Sequence, residues 1–186
     1  KPMNAKDVDK LGYGDCKALS NYTRALLNEV GVKSYYARLY GQNSVREIYT
    51  DLVSFQSNHV ILAIPRGDDY IWLECTSQIQ PFGFQGAFTD SRNAFVIKPE
   101  GSEIVPTKTF SEIDNTKKLE GFYSISENGT IKAKVKMVSN GIQYDQRYQV
   151  ERMSKEDQIE EYKDEFSHIN NMKINKINFL NNLGKP

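Results

Sequence analysis

Two strand-like runs, Phe55–Ile64 and Tyr70–Thr76, flank the tetrapeptide Pro65-Arg66-Gly67-Asp68, and no other feature limits the chain so tightly. Turn residues between two apolar, β-branched runs spell a hairpin. If the four residues 65–68 form the loop, Ile64 faces Asp69, Ala63 faces Tyr70, Ile61 faces Trp72 and His59 faces Glu74. Directly opposed side chains share one face of the sheet, with Cβ atoms ~5 Å apart. A slip of one residue would send Glu74 to the far face. The local turn alone therefore predicts an imidazole beside a carboxylate.

Upstream, Gly12-Tyr13-Gly14-Asp15 marks a tight turn, and Asp15 is suited to cap a helix. From Cys16 to Val30 the apolar positions Leu19, Tyr22, Leu26 and Val30 recur at three- and four-residue steps. That spacing predicts a helix with one buried face, ended by Gly31 just past its C-cap. Residues 1–11 read as a lead-in, Val32–Tyr40 as a strand, and 41–54 as a polar loop passing near the helix start. Ser77–Asp90 carries Pro81, Gly83 and Gly86 among three phenylalanines and reads as an ordered loop, followed by a short strand at Asn93–Lys98.

Beyond residue 108 the texture changes. Leu119–Ser126, Thr130–Val138 and Ile142–Arg152 are strand-like and are separated by Asn128-Gly129 and Asn140-Gly141. Asn-Gly favours two-residue hairpin turns, so a three-stranded meander is expected. Ser154 with Asp157 three residues on signals a helix start, and Ile159, Tyr162, Phe166 and Ile169 form its apolar stripe. The expected division is 1–108 and 109–186: an α+β core, with a Cys-bearing helix on an antiparallel sheet, then a small β-meander plus helix.

Composition excludes several classes. The chain of 186 residues has 39% hydrophobic residues, which is enough for a core. Its 24 basic and 24 acidic residues balance, with no basic block of the kind that tracks phosphates, so no nucleic-acid partner is expected. No apolar run reaches the roughly 18 residues of a membrane span, so no membrane insertion is expected in this segment. Two cysteines and two histidines, none at zinc-ligand spacing, argue against a metal site, and no cofactor is implied. The chain starts without Met or a leader, and the Cys16 motif follows at once, which reads as a piece of a longer protein.

Cys16 opens its helix directly after the cap. The free amides and dipole of a helix N-terminus favour negative charge, and the thiolate is the nucleophilic form of cysteine. A base completes such a site, and a carboxylate fixes the tautomer of that base and stabilises its cation. Cys16, His59 and Glu74 are therefore the candidate nucleophile, base and orienting acid. Tyr13, Asp15, Asn58 and Trp72 are candidates to line the site, and the backbone amide of Cys16 is a candidate oxyanion donor. Cys75 alternates with Glu74 and points to the other face, whereas His168 lies off the stripe of its helix and reads as solvated. Asn21-Tyr22-Thr23 and Asn128-Gly129-Thr130 match a glycosylation pattern, but they are read as a helix and a turn.

Gly12-Tyr13-Gly14-Asp15-Cys16-Lys17-Ala18-Leu19-Ser20 resembles the nucleophile motif of bacterial transglutaminase-like domains. Asn58-His59-Val60 is similar to the family's His strand. Tyr70-Ile71-Trp72-Leu73-Glu74-Cys75-Thr76 is similar to its acid strand, with Glu74 where Asp is usual, and Gln80-Pro81-Phe82-Gly83 resembles members with flanking β-domains. The resemblance covers residues 10–100. It implies a papain-like core and cysteine peptidase, amidase or transamidase chemistry on a protein or peptide, with a periplasmic or cell-surface location by analogy. The alternative it leaves open is a catalytically inactive peptide- or glycan-binding module of a larger cell-envelope protein.

Overall fold

The computed structural model describes residues 3–52 and 54–181 and is a mixed α+β structure. The chain divides into two compact units, one ending at Thr109 and one beginning at Phe110.

The first unit contains helices α1 (Ala5–Leu11) and α2 (Cys16–Glu29) and strands β1 (Tyr35–Leu39), β2 (His59–Arg66), β3 (Asp69–Leu73), β4 (Asn93–Ile97) and β5 (Glu103–Pro106). The strands form one antiparallel sheet in the order β3-β2-β1-β4-β5. Helix α1 occupies what reads in sequence as a lead-in, and β5 is a four-residue edge strand too short for its alternation to stand out. Strand β2 is buried at six consecutive positions, His59 to Ile64, as expected of a strand covered on both faces. One face carries the core cluster of Tyr35, Ala37, Leu39, Ile61, Ala63, Trp72, Ala94 and Val96. His59 pairs with Leu39 and by alternation belongs to that face.

The hairpin between β2 and β3 differs from the four-residue loop. Arg66 pairs with Asp69 and Pro65 with Tyr70, so the turn is Gly67-Asp68 alone, with Gly67 at φ +62°. A two-residue turn needs positive φ, which glycine adopts without cost. Pro65 is tolerated because β1 begins opposite Ala63, so the missing N–H leaves no gap in the ladder on that side. The register moves by two residues: Ala63 faces Trp72 and Leu62 faces Leu73. Glu74 therefore does not face His59 directly. It follows on from Leu73 towards the level of Ile61, one step diagonal from His59. A shift of two preserves the faces, whereas a shift of one would have separated the pair. The strand also starts at His59 rather than Phe55, which is 79% exposed and lies under the Arg38 guanidinium, 3.8 Å from its ring centroid.

In the second unit β6 (Lys117–Ile125) and β7 (Ile131–Ser139) form a two-stranded ribbon. The third strand of the expected meander is absent: Ile142–Asp145 is a short helix, α3, and Val150–Arg152 a 3₁₀ turn. Gly141, at φ +60°, turns the chain away, and a Cβ there would lie 2.8 Å from the Asp114 carbonyl oxygen. Tyr144 and Tyr148 then stack four residues apart, with ring centroids 5.6 Å apart, a helical rather than an extended spacing. Helix α4 (Lys155–Glu165) starts as expected, with Ser154 Oγ accepting from the Asp157 amide at 3.1 Å. Phe166 is its C-cap, so Ile169 falls outside the helix. Arg147 and Lys117 both pair with Glu165.

Candidate functional site

Helix α2 starts where its cap dictates. Asp15 is extended (φ −77°, ψ 175°), and its Oδ1 accepts from the Ala18 amide at 2.9 Å. The same carboxylate pairs with Lys17 at 2.9 Å, an exposed contact of little energetic weight. Cys16 is the first helical residue and its thiol is free. Ser20, one turn further on the same side of α2, donates to the Val60 carbonyl at 3.3 Å. Cys16 therefore lies about one helical turn (~5.4 Å) beyond that contact. The strand residue that feels the charge of Cys16 is Tyr36 on β1, which pairs with Leu62 and by alternation lies on the face of the sheet opposite to that of His59. Burial raises its phenol, Arg38 opposes this, and the charge of Cys16 adds to the rise.

The imidazole is anchored from the other side. His59 Nε2 lies 2.7 Å from Glu74 Oε2, and the two side chains are only 9% and 8% exposed. The diagonal register is spanned because Glu is one methylene longer than Asp. The second carboxylate oxygen accepts from the Thr76 amide at 2.9 Å and from its hydroxyl at 2.5 Å. Burial pushes the Glu74 carboxyl up, but the bonds from His59 and Thr76 outweigh it and hold the group below the usual carboxylate range. With Nε2–H donated to the carboxylate, the lone pair resides on Nδ1, which is then the nitrogen able to take a proton. No hydrogen bond joins the Cys16 sulfur to His59 among the described residues.

The remaining candidates separate. Tyr13 is 70% exposed in the turn before α2. Asn58 clamps the backbone of Gly41, accepting from its amide at 2.6 Å and donating to its carbonyl at 3.0 Å. Trp72 is part of the core cluster, tilted against Tyr70 at 5.5 Å, and supports the strand that carries Glu74. The thiol of Cys75 donates to the Leu73 carbonyl at 3.7 Å, and Ser20 and Thr23 of α2 favour its ionised form. Burial nevertheless raises it above its ordinary value. His168 is exposed, edge-on to Phe166. Thr76 and Phe88, which meets the imidazole edge-to-face at 5.1 Å, escape the sequence reading. An aromatic in a Gly/Pro loop carries no signal of what it touches.

Among the described residues no group of three or more His, Cys, Asp or Glu could hold a metal ion. No helix among them is long and apolar enough to cross a membrane. No protein-family model, curated protein or solved structure matches the chain.

Proposed function

We propose that the chain performs thiol-dependent acyl chemistry on peptide or carboxamide substrates, within a papain- or transglutaminase-like core, with Cys16 as nucleophile, His59 as base and Glu74 as orienting acid. The observation that carries this reading is the desolvated His59–Glu74 contact of 2.7 Å, made through Nε2 so that Nδ1 is left for the thiol proton. Support comes also from Cys16 at a capped helix start, a position that favours a thiolate.

In the reaction, Cys16 Sγ attacks the carbonyl carbon as its proton passes to His59 Nδ1. The developing oxyanion accepts from the Cys16 amide. The imidazolium, stabilised by Glu74, returns the proton to the leaving amine, and an acyl-enzyme remains. Water or a second amine then resolves it. Hydrolysis and transamidation differ only in that last nucleophile.

The test is alkylation. Cys16 should react with iodoacetamide near pH 6 far faster than Cys75, and His59→Ala should remove the difference. Profiling with peptide libraries against Cys16→Ala would then define the substrate. A second reading, a non-catalytic peptide- or glycan-binding module, draws on the sulfur having no hydrogen bond to the imidazole. It requires slow and equal labelling of both cysteines.

A further inference from the structure

The surroundings of His59 are built with more care than a hydrogen-bonded core histidine requires. Gly41 packs against it so closely that a Cβ at that position would stand 2.6 Å from Phe88 Cε1 and 2.8 Å from His59 Cβ. Real Cβ atoms essentially never come that close, so a side chain at 41 would have to displace the Phe88 ring or the His59 side chain. Phe88 meets the imidazole at 5.1 Å with an interplanar angle of 78°, the edge-on arrangement that aromatic rings favour. Its carbonyl accepts from the Gln42 amide at 3.0 Å.

Arg92 holds both neighbours in place. Its guanidinium is fully buried, yet the acid beside it, Asp90, is 3.8 Å away. A buried cation is tolerable only when its donors are satisfied. Here they end on carbonyls: Nη1 on Tyr40 at 2.6 Å and Gln42 at 2.8 Å, Nη2 on Ala87 at 2.8 Å, and Nε on Asp90 at 2.7 Å. One planar fork thus ties residues 40–42, which carry Gly41, to residues 87–90, which carry Phe88. Lysine has no equivalent fork.

We infer that Gly41, Phe88 and Arg92 are positioning residues for His59, fixing the imidazole so that Nε2 stays on Glu74 and Nδ1 is presented to Cys16. This rests on the thiol reading above. With Glu74 at Nε2, Phe88 against the ring and Gly41 at Cβ, the imidazole has lost most of its rotational freedom before any substrate arrives. Such preorganisation within ~0.5 Å is what separates a working base from a nearby one.

The experiment compares wild type, Phe88→Ala, Gly41→Ala and Arg92→Lys by two readouts: iodoacetamide labelling of Cys16 from pH 5.5 to 9, and the imidazole nitrogen resonances of His59. Phe88→Ala should slow labelling at pH 6 by about 10-fold and Gly41→Ala by on the order of 100-fold, with near wild-type rates at pH 9. The His59 resonances should move in both. Phe88→Ala leaving the pH profile and the resonances unchanged would overturn the inference. Phe88 is 45% exposed, so this variant decides the matter even where the Gly41 or Arg92 variant fails to fold. Should wild-type Cys16 label no faster than Cys75, the thiol reading fails by itself. The resonances then judge positioning alone: displaced, it stands; unmoved in Phe88→Ala, it falls.

Discussion

The β2–β3 hairpin and the β6–β7 ribbon are both antiparallel pairs built around glycine turns, yet they meet opposite fates. Strand β2 is buried from His59 to Ile64, while every residue of β6 and most of β7 are exposed. The ribbon is not polar: Phe122 and Tyr123 are 71% and 72% exposed. One of its faces carries Lys132, Lys134 and Lys136, and the other Ile131, Val135 and Met137. Turn chemistry sets register equally well in both. Only burial turns a register into chemistry, because a carboxylate and an imidazole brought together in water gain little, whereas the same pair out of water is held strongly.

Substitutions of one aromatic residue in each hairpin should break this comparison most visibly. Trp72→Ala removes a side chain 4% exposed in the core and should cost about 3–5 kcal/mol in urea unfolding. Tyr123→Ala in the ribbon should change stability by less than ~0.5 kcal/mol, the range of exposed substitutions. Similar losses for the two would mean that the ribbon face is covered in solution.

The next effect concerns charge. Glu74→Gln keeps the shape but removes the buried anion, and should lower stability by roughly 1–3 kcal/mol. It should also abolish the acid-side reactivity of Cys16 towards iodoacetamide. Lys118→Gln, which disrupts the exposed Lys118–Glu120 pair at 3.0 Å, should be neutral within ~0.5 kcal/mol. A neutral Glu74→Gln would remove the energetic distinction between the two hairpins.

How far this was legible in the sequence follows the same division. The bounds of helix α2 could be read from Asp15 and Gly31, because caps are local. Its buried face could not: Leu26 is 50% and Val30 72% exposed, and the residues the helix buries are Ala18 and Ser20. The His59–Glu74 contact could be read through alternation, although the register was out by two residues. Pro65 reads as a loop residue, and nothing nearby shows that β1 stops short of it. The third meander strand failed for a tertiary reason, since Gly141 has to fit against Asp114 and Asn115. Gly41, Phe88 and Arg92 stayed hidden because their partners lie up to 52 residues away in sequence.

Acid should sharpen the contrast more gently. Glu74 is held below the usual carboxylate value, so the folded chain keeps it ionised where an unfolded chain would protonate it. The stabilisation is complete above about pH 4.3 and is lost as pH falls through the lower, folded value. Urea midpoints of wild type should thus fall towards those of Glu74→Gln as pH drops below about 4. Parallel curves for the two proteins down to pH 2 would show that the pair contributes nothing through ionisation.

The smallest effect lies at the alkaline end, on the reverse face of the same strand end. Burial raises the Cys75 thiol, and although Ser20 and Thr23 pull it back, the neighbouring Glu74 charge pushes the same way as burial. A raised folded value means that the unfolded thiol ionises first. Stability is therefore whole below about pH 8.5 and declines as pH rises through the folded value. Cys75→Ala should flatten that decline by a few tenths of a kcal/mol, a change visible only as a difference between wild-type and variant midpoints from pH 8 to 10. On the proposed thiol chemistry the two cysteines should then differ in labelling: Cys16 should be alkylated at about pH 6, whereas Cys75 should stay slow at about pH 8.5 until the chain unfolds. Native labelling of Cys75 at the rate of an unfolded peptide would show that this face is open to solvent, and the burial that distinguishes the first hairpin from the second would have to be redrawn.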